Sequence, residues 1–202
     1  KDLLETAGIH QHVRYILCLR PEDGYVGLAG VGLGDGLHLF QEDRQAEGLL
    51  LAIHDIAQRA LQSNPPDYEA RANYMWVCTN ALNHLIGVGV PQDWSTHGIG
   101  HSLTALYGLA HAESLAVVLP WLLWYKREQK QDKLLQFGYR VLDQKMQKYS
   151  ERIDRTIEAL AAFFHSLGMP TTLTAYGLDP DKVAEEVQAH LEAENFVRGE
   201  HK

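Results

Sequence analysis

Apolar residues recur at three- and four-residue steps through most of the chain, the spacing of a helix that buries one face. The stretch from 43 to 62 shows the pattern most clearly, with Leu50, Ile53 and Ala57 on one face. The periodicity predicts helices over 43–62, 68–86, 94–107, 111–129, 131–148, 151–167 and 180–195. Alternating β-branched runs do not occur after residue 42, so we expect an all-α bundle without a sheet of three or more strands.

Proline and capping residues predict where several of these helices begin or bend. The sequence SNPPD at 63–67 ends one helix and starts the next, with Pro66 or Asp67 near the first turn. Ser150 is predicted to cap the helix over 151–167. Pro120 is predicted to kink or break the helix over 111–129, because proline lacks the backbone N–H that a helix interior uses.

The beginning of the chain has a different character. Residues 22–36 read EDGYVGLAGVGLGDG, with six glycines and little periodicity. We therefore predict two parts, an irregular segment over 1–41 and a helical domain over 42–202. Because glycine raises the entropy that ordering must overcome, we expect 22–38 to be the least ordered stretch.

Composition narrows the class of protein. The chain has 202 residues and a net charge of -8, so an electrostatic nucleic-acid partner is not expected. Its basic run at 126–130 is interpreted as a solvated helix face. The most apolar stretch, 115–125, is shorter than the roughly 20 residues that a membrane span needs. Cys18 and Cys78 have no CxxC spacing, which suits free thiols in a reducing compartment. These features predict a soluble, cytoplasmic protein.

Three histidines lie close together in the segment WSTHGIGHSLTALYGLAHAE at 94–113. His97 and His101 are four residues apart and share a helix face, and His111 follows ten residues later. Neutral imidazole binds Fe²⁺, Zn²⁺ and similar ions, usually in sets of three or four protein ligands. A metal site and a chance cluster of polar histidines are both compatible with the spacing alone. Among further ligand candidates, Asp23 is followed four residues later by Gly27 rather than by a histidine, and His10, His12 and His38 have no spacing in their favour.

The segments YEARANYMW, ALNHLIGVGVPQDWSTHGIGHSLTALYGLAHAESLAVVLP and LLQFGYRVL resemble the iron-containing (group III) alcohol dehydrogenases. The similarity extends over roughly 42–180, and the branch most alike is the NADPH-dependent aldehyde reductases and butanol dehydrogenases. The resemblance implies the helical, dehydroquinate synthase-like C-terminal domain of that family. It also implies that His97 and His111 bind the divalent metal, Fe²⁺ first and Zn²⁺ as the alternative, and that His101 lies near nicotinamide and substrate. Ser102 stands where the closest relatives usually have Glu.

By this resemblance, the complete enzyme interconverts small aldehydes and primary alcohols such as butanal and butanol, using NAD(P)H. We expect the nucleotide site to lie outside this chain, because GVGLGDG at 30–36 lacks the strand and helix of a dinucleotide fingerprint. The chain alone is therefore expected to be inactive. A homodimer is a possible assembly. A non-catalytic helical fragment that binds metal or a partner is the alternative function.

Overall fold

Seven α-helices and two short 3-10 helices make up the part of the chain that this computed structural model describes, residues 36–83, 85–87, 94–144 and 148–196. The α-helices are α1 (Gly36–Gln62), α2 (Tyr68–Leu82), α3 (Ser95–Tyr107), α4 (His111–Tyr125), α5 (Gln131–Arg140), α6 (Tyr149–Ser166) and α7 (Pro180–Ala193). The 3-10 helices are Leu85–Gly87 and Leu173–Tyr176. No strand occurs within the described ranges, which confirms the predicted all-α fold.

Successive helices pack in pairs. Helix α1 lies along α2, α3 along α4, and α5 along α6, while α4 also packs on α6 and α3 on α7. The main hydrophobic core forms where α1, α2, α4, α5 and α6 meet, around side chains such as Ile53, Leu119 and Phe164, none of which is solvent-exposed. A second, smaller cluster joins α3, α4 and α7 through Leu103, Val118, Val183 and Val187.

A buried ion pair ties α1 to α5 across the main core. Glu47 is 4% exposed, and its Oε1 accepts hydrogen bonds from Arg140 Nη1 at 2.8 Å and Gln136 Nε2 at 2.6 Å. Burial of a carboxylate is costly without such partners, so the two donors explain how Glu47 is tolerated there. The pair fixes α5 against α1.

Several predicted boundaries need correction. Helix α1 begins at Gly36 rather than Asp43, so residues counted as irregular up to 41 are helical from 36 onward. Helix α6 begins at Tyr149 with Lys148 at its N-cap, so Ser150 lies inside the helix and does not cap it. Pro120 lies inside α4, which continues to Tyr125 without a break. Asp67 caps α2 as predicted, accepting a hydrogen bond from the Ala70 backbone N–H at 3.0 Å.

The remaining helix ends also differ from the predicted ones. Helix α2 ends at Leu82, α4 at Tyr125 and α5 at Arg140, each earlier than the periodicity suggested. Lys130, counted with a solvated face, is only 4% exposed. No helix in the described ranges is both long and apolar enough to cross a membrane. The predicted disorder of 22–38 falls almost wholly outside the described residues.

Candidate metal centre

The turn between α3 and α4 brings the three histidines of the sequence motif together. Helix α3 ends at Gly108, whose φ of 70° is left-handed and whose N–H bonds Thr104 O at 3.0 Å. A left-handed residue at a helix end favours glycine, which has no Cβ to clash. Helix α4 then starts at His111, so the chain reverses within three residues. His111 therefore lies beside the face of α3 that carries His97 and His101.

The imidazole rings lie in mutual contact range. The ring centroids of His97 and His111 are 5.5 Å apart, those of His101 and His111 are 5.0 Å apart, and those of His97 and His101 are 6.1 Å apart. The indole of Trp94 meets His97 edge-on at 5.0 Å. The three predicted site residues thus share one small region rather than opposite faces of the bundle.

Burial differs sharply among the three side chains. His97 is 2% exposed, His111 is half-buried and His101 is exposed. Burial, and next the neighbouring His111 and His101, lower the pKa of His97 to about 4. Burial also lowers the pKa of His111, with His101 as the second cause. Both imidazoles are therefore neutral near pH 7, the form whose nitrogen lone pair binds a metal ion.

The rings of His97 and His111 are close enough for their separation to be compared with that of two imidazoles on one metal ion. With metal–nitrogen bonds of about 2.1 Å, two imidazoles on one ion have ring centres roughly 4.5–5.5 Å apart. The observed 5.5 Å lies at the upper end of that range. However, the described residues hold no group of three or more His, Cys, Asp or Glu side chains arranged to bind a metal ion. The donor set seen here is a pair of imidazoles, with His101 beside it.

The other ligand candidates are Asp23, His10, His12 and His38. Asp23, His10 and His12 lie outside the described residues, and for His38 only the helical backbone is described.

Two contacts reach α3 next to the histidines, one from α7 and one from a residue just after it. The sequence did not predict either contact. Ser102 Oγ lies 3.2 Å from His190 Nδ1, and the ring of Phe196 covers Gly98. The partners are 88 and 98 residues apart in sequence, so only the fold reveals them. The sequence offered one clue, the small residue Ser102 beside His101.

A cavity in the described part of the chain lies elsewhere. It has a volume of about 540 Å³ and an apolar lining that includes Ile99, Leu103, Val117, Trp121 and Val187. Ile99 and Leu103 project from the side of α3 opposite to His97 and His101, since residues two apart on a helix point about 200° away from each other. The cavity is therefore separate from the histidine cluster.

Comparison with known proteins gives the family. The model of the Fe-containing alcohol dehydrogenase family, C-terminal, matches residues 42–200. The chain belongs to this family. The predicted resemblance is confirmed, and its extent is about twenty residues longer than the motifs indicated.

Relatives within the Fe-containing alcohol dehydrogenase family are aldehyde and alcohol enzymes by name. NADPH-dependent aldehyde reductase YqhD of Escherichia coli is 51% identical over 142 residues, which are 70% of this chain and 36% of that protein. NADH-dependent butanol dehydrogenase A of Clostridium acetobutylicum is 30% identical over 80% of this chain and 40% of its own length. The chain thus spans well under half the length of these relatives.

Solved structures of the family have the same fold. The crystal structure of Escherichia coli YqhD superposes with a TM-score of 0.83 at 39% identity, over 96% of this chain and 48% of that one. NADH-dependent butanol dehydrogenase A of Thermotoga maritima gives a TM-score of 0.74 at 29% identity, over 92% of this chain and 44% of its own. The helical bundle is therefore shared with enzymes about twice its length.

Proposed function

We propose that this chain is the helical, metal-binding part of an alcohol dehydrogenase of the Fe-containing family, which interconverts aldehydes and primary alcohols with NAD(P)H. The observation that carries the proposal is the approach of His97 and His111, 5.5 Å apart, in a chain of this family. The names of the relatives, aldehyde reductase and butanol dehydrogenase, support a small aldehyde or alcohol as substrate.

In this proposal, His97 and His111 hold a divalent metal ion, Fe²⁺ or, as the alternative, Zn²⁺. When bound, the ion supplies Lewis acidity toward a carbonyl oxygen. Burial keeps His97 neutral and excludes water from its ring, which favours a stable ligand over a solvated one. Trp94, edge-on against His97, limits the rotation of that imidazole. Two protein ligands are fewer than the usual three of a catalytic site, so at least one more must join them.

His101 has a different role in this proposal. Its imidazole is exposed, lies 5.0 Å from His111 and stands one helical turn beyond His97. It can therefore approach a substrate oxygen that the pair His97 and His111 faces. We assign to it the positioning of the substrate and the passage of a proton between a ring nitrogen and that oxygen. A nicotinamide cofactor would exchange hydride with the substrate carbon, and its binding residues are not among those assigned here.

Metal binding tests the ligand assignment. Isothermal titration of the 202-residue chain with Fe²⁺ under anaerobic conditions, and with Zn²⁺, is expected to show one site per chain. His97→Ala and His111→Ala should each weaken the affinity for the metal ion by at least about ten-fold, because each removes one of the two assigned ligands. His54→Ala is the matched control, because His54 is exposed and stacks on Phe163 rather than on the cluster. Equal affinity in all four proteins would contradict the assignment.

Activity tests the proposed reaction. We expect no NADPH-dependent reduction of butanal by the metal-loaded chain alone, because reaction needs the nicotinamide held against the carbonyl at roughly 3–3.5 Å. Turnover is expected when a separately expressed nucleotide-binding domain of a relative is added. The same mixture made with the His101→Ala variant is expected to lose this turnover. Turnover by the chain alone, abolished by His97→Ala, would show that residues 1–35 contribute more than is assigned to them.

A second candidate function is a non-catalytic helical fragment that binds metal or a partner. The observation in its favour is that the described residues offer no set of three metal ligands. The two candidates differ in the mixing experiment, since the fragment binds metal without turnover under any combination.

A cytoplasmic homodimer is part of the proposal, and light scattering during gel filtration tests the dimer.

A further inference from the structure

Two contacts reach one face of α3 from the end of α7, a term that here covers His190 in its last turn through Phe196 just after the helix. Gly98 and Ser102 are four residues apart, so they lie one helical turn from each other on the same face of α3. Each directly follows a histidine of the candidate site: Gly98 follows His97, and Ser102 follows His101. The stripe that α7 contacts is therefore the immediate neighbour of the stripe that carries the histidines.

The first contact is an aromatic ring on a glycine. A Cβ built on Gly98 would lie 2.7 Å or less from three carbon atoms of the Phe196 ring. Real Cβ atoms essentially never approach that closely, so the ring occupies the space that any other side chain at 98 would need. The chain turns back to make this contact: Asn195 has a φ of 50°, and Phe196 N bonds Leu191 O at 2.9 Å.

The second contact is a buried hydrogen bond. Ser102 is 1% exposed, and its Oγ donates to Gly98 O at 3.2 Å within α3. The same Oγ lies 3.2 Å from His190 Nδ1, within hydrogen-bonding distance, and the tautomer of the imidazole decides which of the two atoms donates. On its other side, His190 Nε2 lies 3.8 Å from Glu194 Oε1. The bond ties α7 to α3 at a half-buried point, where Ser102 is covered and the His190 side chain is 27% exposed.

The geometry points to the end of α7 as the positioning element of the candidate metal helix. His190 through Ser102, and Phe196 through Gly98, set the rotation of α3 about its axis, and with it the direction of His97 and His101. The apolar cluster between these helices is small, so the two contacts have a large share in fixing that rotation. This inference rests on the proposed function, because the rotation of α3 affects metal binding only if His97 and His111 form the metal site.

Cobalt substitution tests the inference at the metal. Co²⁺ has visible d–d bands that report the arrangement of its ligands, and the wild-type chain titrated with Co²⁺ supplies the reference. His190→Ala and Phe196→Ala are expected to weaken Co²⁺ binding by about ten-fold and to change the d–d bands. His190→Asn keeps an N–H donor near the position of Nδ1 and should restore the reference spectrum. Gln188→Ala is the control, because Gln188 bonds Glu192 on its own helix.

Hydrogen exchange on the metal-free chain tests the inference without any ion. With circular dichroism showing folded helices, His190→Ala and Phe196→Ala are expected to lose protection at the amides of 99–107, while Gln188→Ala and His190→Asn keep it. Unchanged exchange in α3 in both alanine variants would overturn the inference. If the wild-type chain binds no Co²⁺ through His97, the proposed function fails, and the exchange result still decides whether α7 positions α3.

Discussion

The two hydrophobic clusters of this bundle differ in size and in what they carry. The main core joins five helices through more than twenty buried side chains and includes large ones such as Tyr74, Phe137 and Phe164. The smaller cluster joins α3, α4 and α7 through four buried aliphatic residues. Yet the histidines that could perform chemistry lie on α3 and at the start of α4, the two helices that the smaller cluster joins to α7.

The difference indicates a division of work. Burial of apolar area supplies stability without regard to direction, so a large core holds helices together and tolerates small shifts. A metal site needs side chains in fixed directions. On α3, direction comes from a left-handed Gly108, a ring on Gly98 and a buried bond at Ser102. The directional contacts at Gly98 and Ser102 therefore occur between helices that share few buried apolar side chains.

The largest expected effect is a truncation in the main core. Phe164 is fully buried in α6, and Phe164→Ala should lower the free energy of unfolding by about 3–5 kcal/mol, from lost burial and the cavity left behind. Urea denaturation followed by circular dichroism measures it. Phe196→Ala, a change of the same size at a half-buried ring, is the comparison and should cost clearly less. Equal losses in the two variants would remove the distinction between the clusters.

A truncation in the smaller cluster should have an intermediate effect. Val187 on α7 is 7% exposed, and Val187→Ala removes the equivalent of two methylene groups, about 1–2 kcal/mol of stability. We expect hydrogen exchange to rise at α3 and α7 before it rises at α6, because α3 and α7 share this cluster. If α3 and α6 lose protection together, the bundle is a single cooperative unit and the two clusters are not separate.

The sequence predicted the bundle well because helical periodicity is a local property. The apolar spacing in 43–62 and the capping Asp67 are readable without any tertiary information, and the structure confirms both. Predicted ends failed at Ser150 because a cap depends on backbone geometry that Lys148 adopts instead.

The candidate site was only partly readable. The four-residue step from His97 to His101 is a helix property, but the return of His111 required the turn at Gly108, and the family resemblance supplied its meaning. The contacts of His190 and Phe196 with α3 could not be predicted, since tertiary packing alone joins residues that are 88 and 98 positions apart. Local patterns give the elements, and the fold decides which elements meet.

A helix cap in the region of the main core should show a smaller, pH-dependent effect. The bond from Ala70 N–H, and next the one from Arg59, lower the pKa of Asp67 below 3.8. A carboxyl with a depressed pKa stabilises the fold above its unfolded value and loses this contribution as the pH falls through the folded pKa. Asp67→Ala should therefore lower the Tm at pH 7, and the deficit should shrink below pH 4. Asp67→Asn, which keeps the cap without the charge, is the control; a deficit that does not vary with pH would exclude the charge as its cause.

The smallest effect is expected at a third link between α3 and α7, which lies on the surface. Tyr107 Oη donates a hydrogen bond to Glu186 Oε2 at 2.5 Å, and this bond, more than burial, raises the pKa of Tyr107 to about 12. A raised pKa stabilises the fold below the unfolded value near 10, and the contribution is lost as the pH rises through about 12. Water screens this exposed pair, so Tyr107→Phe should lower the Tm only slightly at pH 8, and the difference should vanish above pH 12 if the fold persists. Differential scanning calorimetry of both proteins between pH 8 and 11 follows the trend, with a substitution at the exposed Tyr139 of α5, Tyr139→Phe, as the matched control. A Tm loss at Tyr107 as large as that of Val187→Ala would mean that surface bonds, rather than the buried contacts at Gly98 and Ser102, hold α3 against α7.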